Sequence, residues 1–133
     1  MILLITSVIA SILTLIYVRL SLDVIKLRRK NQVRLGTGGV EELERAIRAH
    51  ANFAEYVPIG LILISCLEAN GAPRWVVLLP GITLIVGRII HAIGVQEPPP
   101  HISKRVLGMK ITFFTLIGLA ILNVCLVAFK VIF

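Results

Sequence analysis

The segment EELERAIRAHANFAEY, residues 41–56, continues without a break into VPIGLILISCL, residues 57–67. Its first part carries charges at regular intervals, whereas its second part is apolar throughout. At about 1.5 Å per residue, a helix over residues 40–69 is long enough to cross a bilayer with its polar end at or beyond the membrane surface. The segment therefore predicts a transmembrane helix whose polar half needs partners.

The composition of the whole chain agrees with a membrane location. Hydrophobic residues make up 57% and charged residues 16% of the 133 positions, and the mean hydropathy is +0.94. A soluble domain of this size has a large surface to cover with polar side chains, and this chain has too few of them. A soluble globular protein, a disordered chain and an ordinary nucleic-acid-binding module are excluded. The length fits a single membrane domain over residues 1–133.

Three more apolar segments complete an all-α bundle of four transmembrane helices. We expect spans over residues 2–25, 40–69, 74–95 and 104–133. The sequence Asn70-Gly71-Ala72-Pro73 separates the second span from the third, and Pro98-Pro99-Pro100 separates the third from the fourth. Both breaks are strong helix stops.

Basic residues are concentrated in two of the three loops. The loop after the first span contains Lys26, Arg28, Arg29, Lys30 and Arg34, and Lys104, Arg105 and Lys110 accompany the start of the fourth span. Because positive residues favour the cytoplasmic side, these two loops are predicted inside and both chain termini outside. The net charge of +7 thus fits membrane flanks better than a nucleic-acid partner.

Four polar residues form a stripe on the second span. Arg45, Arg48, Asn52 and Glu55 are spaced i, i+3, i+7 and i+10, which places them on one face of a helix. An internal network, with Arg45 on Glu41 and Arg48 on Glu44, explains part of the pattern. Glu55 has no cation three or four residues away, so it needs a partner from another helix or from a ligand.

Other spans place polar residues at the same membrane level. Arg88 and His91 lie on one face of the third span, Arg105 begins the fourth, and Lys26 and Arg28 end the first. Ionisable residues inside a membrane are candidates for function, although a satisfied core position remains an equal alternative for His91. This convergence predicts a polar pocket, either open to the cytosol or lying between subunits, for an anionic molecule that also carries an ammonium group. Its apolar walls suit a lipophilic second substrate. The scattered His and Cys residues indicate no metal site.

Three motifs resemble those of a known family. The run RAIRAHANFAEYVP, residues 45–58, is similar to the signature of MAPEG, the membrane-associated proteins in eicosanoid and glutathione metabolism. The segments GRIIHAIG, residues 87–94, and RVLG, residues 105–108, resemble that family's third and fourth helices. The AHANFAEYVP part looks more like the bacterial branch, which implies an inner-membrane location.

The resemblance implies a homotrimer that binds glutathione, as a substrate, between subunits near the cytoplasmic face. Arg105 would stabilise the glutathione thiolate as the catalytic residue. The implied binding residues are Arg28 (or Lys26), Arg45, Arg48, Asn52, Glu55, Tyr56, Arg88 and His91. His91 and Val95 stand where eukaryotic synthases often carry tyrosines. The expected function is a glutathione-dependent transferase or peroxidase acting on lipophilic electrophiles. The alternative is a non-catalytic protein of the same fold with a binding or assembly role.

The charge distribution gives a test of topology. In a variant without Cys66 and Cys125, a cysteine introduced by Asn31→Cys should react with a membrane-impermeant thiol reagent only after the cytoplasmic side is opened. Labelling of intact cells or right-side-out vesicles at this position contradicts the predicted orientation.

Overall fold

The computed structural model describes residues 2–132 and contains four helices in succession. They are α1 (Leu4–Asn31), α2 (Glu41–Ala69), α3 (Arg74–Gln96) and α4 (Ile102–Ile132). Each is long and apolar enough to cross a membrane, and each packs against the next along the chain. The prediction of an all-α bundle with four spans is confirmed. The predicted domain ends at residues 1 and 133 lie outside the described residues.

The largest difference from the predicted boundaries is at the end of α1. The sequence placed Lys26, Arg28, Arg29 and Lys30 in a loop, whereas the structure places them on the last turns of the helix. Lys and Arg have high helix propensity, and positive charge is favourable near a helix C-terminus. The helix stops at Gln32, whose φ of 55° is left-handed, and the Val33 N–H donates to the Arg28 carbonyl at 3.0 Å.

Glycines allow α3 and α4 to approach closely. A Cβ atom added to Gly108 would lie 2.6 Å from the backbone nitrogen of His91, and one on Gly94 would lie 2.8 Å from that of Arg105. Gly87 is similarly close to Thr112. Small residues at such contacts are a common means of packing helices within membranes. Here they fix the first turns of α4 against the last turns of α3.

A carboxylate joins α2 to the beginning of α1. Glu68 Oε1 accepts from the Ile5 N–H at 2.9 Å, while Oε2 accepts from the Thr6 N–H at 2.8 Å and from the Thr6 hydroxyl at 2.6 Å. The first N–H groups of a helix have no partner within the helix and carry partial positive charge. Glu68 therefore caps α1 from a neighbouring helix, a long-range contact that no local motif indicates.

This cap gives a stability prediction. Glu68→Gln should lower the free energy of unfolding by about 1–3 kcal/mol, since it removes the charge and one of the acceptor oxygens. Glu42→Gln is the matched control, because the Glu42 carboxylate lies 3.8 Å from Lys30 with both side chains exposed, and such surface pairs contribute about 0–1 kcal/mol. Unfolding in mild detergent measures both variants. Equal losses would show that Glu68 has no capping role.

Candidate functional site

Arg88 lies at the centre of the bundle with 0% of its surface exposed. One terminal nitrogen donates to the Asn52 side-chain oxygen, and the other lies 3.4 Å from the Thr112 hydroxyl and 3.6 Å from the Met109 sulfur. The predicted binding residue Arg88 is thus enclosed by its own subunit. It stabilises the predicted polar stripe of α2 because it donates a hydrogen bond to the side chain of Asn52.

Aromatic rings cover another side of this arginine. The Arg88 guanidinium lies 5.5 Å from the centre of the Tyr56 ring, and that ring meets Phe113 edge-on at 5.6 Å. A cation over a ring face is stabilised by the ring quadrupole. Among residues 2–132, Arg88 forms no ion pair with a carboxylate, so amide, hydroxyl and ring dipoles solvate its charge. Tyr56 and Asn52 therefore belong to the surroundings of Arg88.

Three predicted residues do meet at an open pocket. Arg45 and Arg48 from α2 and Arg105 from α4 line a cavity of about 440 Å³, hereafter the arginine pocket. Its other lining residues are Glu41, Glu44, Val95 and Pro100. The three cations come from two helices that are distant in sequence, and against the two carboxylates of Glu41 and Glu44 they give the pocket a small excess of positive charge.

The three arginines are not equivalent. Arg45 is half-buried, and its terminal nitrogen lies 3.5 Å from Glu41, as the internal-network interpretation predicted. The expected pair of Arg48 with Glu44 is not formed within the described chain, and Arg48 and Arg105 are exposed. These two guanidinium groups are the ones available to a ligand, whereas Arg45 keeps its nearest acid.

The connection between α3 and α4 positions Arg105. Lys104 donates to the Glu97 carboxylate at 2.6 Å, with the His101 ring 3.4 Å from the same oxygen. The His91 ring nitrogen Nδ1 lies 3.0 Å from the Arg105 carbonyl oxygen. These contacts fix the backbone of Arg105 in the first turns of α4, near the partial positive charge of the helix N-terminus, and leave its side chain exposed.

His91 itself is a core residue in this subunit. Only 6% of its surface is exposed, and the Arg105 carbonyl occupies one of its ring nitrogens. Of the two alternatives for this residue, the structure favours the satisfied core position. Its role is to hold the start of α4.

Two predicted binding residues lie apart from the arginine pocket. Glu55 is exposed on α2, and its carboxylate makes no hydrogen bond or ion pair within residues 2–132. Arg28 donates to the carbonyl oxygens of Arg34 at 3.3 Å and Gly36 at 3.0 Å, which organises the loop after α1. One subunit therefore brings together only part of the predicted set.

Two further observations concern residues away from the pocket. Arg19 and Asp23, four residues apart on α1, form an ion pair at 3.3 Å. The part of the chain that the structure describes contains no group of His, Cys, Asp and Glu residues that could hold a metal.

Comparisons with known proteins identify the family. The model of the MAPEG family matches the chain over residues 6–125. The chain belongs to the MAPEG family. It is 33% identical over 129 residues to the inner membrane protein YecN of Escherichia coli strain K12, with 97% of each chain covered. The YecN protein of the O6:H1 strain CFT073 gives the same values. The predicted family membership is confirmed, with a bacterial inner-membrane protein as a full-length relative.

Glu97 gives this MAPEG protein a pH dependence. The hydrogen bond from the Lys104 ammonium holds the pKa of the Glu97 carboxyl below its ordinary value of 4.5. Between the lowered pKa and 4.5 the unfolded state binds more protons, so stability rises with pH in this window. The contribution of Glu97 to stability is fully present above its pKa in the unfolded state. It is lost as the pH falls through its pKa in the folded state.

We expect Glu97→Gln to remove this contribution. Melting temperatures measured from about pH 6 to about pH 3 should fall less steeply in the variant than in the native protein. Glu42→Gln should leave the slope unchanged. Parallel curves for the native protein and Glu97→Gln would show that the Glu97 contact does not couple protonation to folding.

Proposed function

We propose that this protein binds glutathione at the arginine pocket and activates its thiol for reaction with lipophilic electrophiles, as a transferase or peroxidase. The observation that supports this most is the convergence of Arg45, Arg48 and Arg105 on one pocket beside the first turns of α4. Arg105 is the proposed catalytic residue. Family membership adds the association with glutathione.

The chemistry of glutathione suits these side chains. The tripeptide has two carboxylates, and a guanidinium can bind a carboxylate through two parallel hydrogen bonds. Arg48 is the proposed carboxylate partner because it is exposed and has no ion pair among the described residues. The α-ammonium of glutathione is a suitable partner for the exposed Glu55 carboxylate, which forms no ion pair within residues 2–132.

Arg105 is proposed to stabilise the thiolate. A thiol becomes a strong nucleophile when it ionises, and a nearby cation and a helix N-terminus both lower its pKa. In transfer, the thiolate sulfur bonds to the electrophilic carbon and the leaving group departs with its electron pair. In the peroxidase reaction, two glutathione molecules reduce a hydroperoxide to an alcohol and water and become the disulfide.

The proposed assembly is a homotrimer with glutathione between neighbouring subunits. Glu55 is exposed in the single subunit, and an unpaired carboxylate facing lipid is costly. A neighbouring subunit would cover the face of α2 that carries Glu55. The basic C-terminal end of α1 in that neighbour is suited to bind a glutathione carboxylate. The basic loops favour a site on the cytoplasmic side of a bacterial inner membrane, with both termini outside.

A second candidate is a MAPEG protein that binds without catalysis. It is favoured by the pocket wall, where apolar Val95 lies, and by the enclosure of the His91 ring. Neither residue offers a hydroxyl group to a bound tripeptide. Glutathione binding without a thiolate absorbance change and without product formation would favour this candidate.

Two substitutions separate the proposed roles. Arg105→Leu should raise the pKa of the bound thiol and lower turnover about 100-fold with less effect on affinity, because the lost contact forms mainly with the ionised thiol. Glu55→Gln should chiefly weaken glutathione binding, by about 2–5 kcal/mol. Arg74→Leu and Glu42→Gln are the controls, since both residues are exposed and lie outside the pocket.

Glutathione affinity, thiolate absorbance and melting temperature are measured for each variant, with native mass spectrometry as the check on assembly. If Glu55→Gln lowers the melting temperature and leaves affinity unchanged, Glu55 joins helices and the ligand role is wrong. A monomer in mild detergent contradicts the proposed trimer. Normal thiolate formation in Arg105→Leu contradicts the catalytic assignment.

A further inference from the structure

A second cavity lies between α3 and α4 and shares no lining residue with the arginine pocket. It is an elongated groove of about 710 Å³, hereafter the α3–α4 groove. Its walls include Trp75, Leu79, Thr83, Lys110, Phe114 and Leu122. Its lining residues on α4 run from Leu107 to Leu122, about 22 Å along the helix, or roughly three quarters of the ~30 Å hydrocarbon core of a bilayer.

The hydroxyl groups in this groove are already satisfied. Thr115 donates to Thr83 at 3.0 Å and lies 2.8 Å from the Ile111 carbonyl, and Thr83 lies 3.0 Å from the Pro80 carbonyl. Since these groups need no further partner, the interior of the groove presents an apolar surface along its length. It suits a hydrocarbon chain better than a polar molecule.

Gly118 keeps the groove open. A Cβ atom added to Gly118 would have no other atom within 4 Å, whereas Gly87 and Gly108 on the same helix pair are in tight contact. Helix packing therefore does not require a glycine at position 118. The absence of a side chain there leaves space in the groove, and a Cβ atom at this position would displace no neighbour.

Charge is present near one end of the groove. Lys110 is exposed, and its ammonium group forms no hydrogen bond or ion pair with any residue between 2 and 132. It follows the basic start of α4, so its flexible side chain can extend toward the lipid headgroups on that side. At the other end of the groove, the wall includes Trp75, which lies in the first turn of α3 and is 69% exposed.

We propose that the α3–α4 groove is a binding site for an anionic glycerophospholipid. The lipid phosphate pairs with the Lys110 ammonium, and one acyl chain lies along the groove past Gly118 toward Trp75. The part of the groove between Lys110 and Leu122 extends about 18 Å along α4 and offers an apolar path for one acyl chain. The phosphate supplies the counter-ion that the Lys110 ammonium lacks. The site is independent of glutathione binding.

The single tryptophan of the chain is a direct reporter. The full-length protein is reconstituted in vesicles of unlabelled phosphatidylcholine. To these vesicles increasing fractions of one brominated lipid are added, either phosphatidylglycerol or phosphatidylcholine, each brominated along its acyl chains. Bromine quenches tryptophan fluorescence at short range. One lysine beside an anionic headgroup contributes about 1 kcal/mol, so half-quenching should need about fivefold less brominated phosphatidylglycerol than brominated phosphatidylcholine.

Four variants and two controls separate headgroup from chain binding. Lys110→Gln should abolish the preference for phosphatidylglycerol, and Lys130→Gln, at the other end of α4, should retain it.

Gly118→Leu should reduce quenching by both lipids, with Gly118→Ala intermediate, because the side chains fill the groove to different extents. Ala120→Leu, an exposed position outside the groove, should behave as the native protein. Trp75→Phe with Phe114→Trp moves the reporter to another wall and should show the same preference.

Several outcomes overturn the proposal. Equal quenching of the native protein by both lipids rules out an anionic headgroup site, as does a preference that survives Lys110→Gln. Unchanged quenching in Gly118→Leu rules out a chain in the groove. A change in oligomeric state in Gly118→Leu or Gly118→Ala, measured by native mass spectrometry, would show that a second subunit occupies this face.

Discussion

The charge of Arg88 has to be accommodated inside a bundle that crosses a membrane, and side chains from two neighbouring helices are arranged around it. Moving a guanidinium out of water is costly unless its donors find acceptors. Asn52 from α2 and Thr112 from α4 accept from its two terminal nitrogens, and the Tyr56 ring covers a further side, whereas the buried Nε has no hydrogen-bond partner among the described residues. One side chain on α3 thus connects three helices. The relative positions of α2 and α4, and hence of the arginines they carry, depend on this connection.

The same arrangement separates two kinds of arginine. Arg88 is buried, and its side chain joins helices within the subunit. Arg48 and Arg105, in contrast, are exposed at the arginine pocket. Asn52 links the two groups, because it lies on the predicted stripe and accepts from the buried cation. A ligand that binds at the stripe therefore contacts a surface whose geometry is stabilised by the buried Arg88 of the same subunit.

The sequence predicted the four helices well, because apolar length, Pro and Gly breaks and basic flanks are local signals. It also identified Arg45, Arg48 and Arg105, whose convergence follows from helix order and membrane depth. It could not tell that Arg88 is enclosed while Arg48 is exposed, since helical periodicity gives the face of a residue and not the neighbour that covers it. Glu68 and Glu97 escaped notice for a related reason. Their partners lie on another helix or across a proline break, where no spacing rule applies.

The buried Arg88 also has a consequence for how the chain enters the membrane. An isolated α3 would carry an arginine into lipid, at a cost of about 2.5 kcal/mol or more. Asn52 and Tyr56 precede Arg88 in the chain, so they are synthesised first and can meet the arginine as α3 inserts, whereas Thr112 arrives only with α4. The arginine of α3 therefore enters the membrane at a lower cost when α2 is already in place, and α4 completes its surroundings.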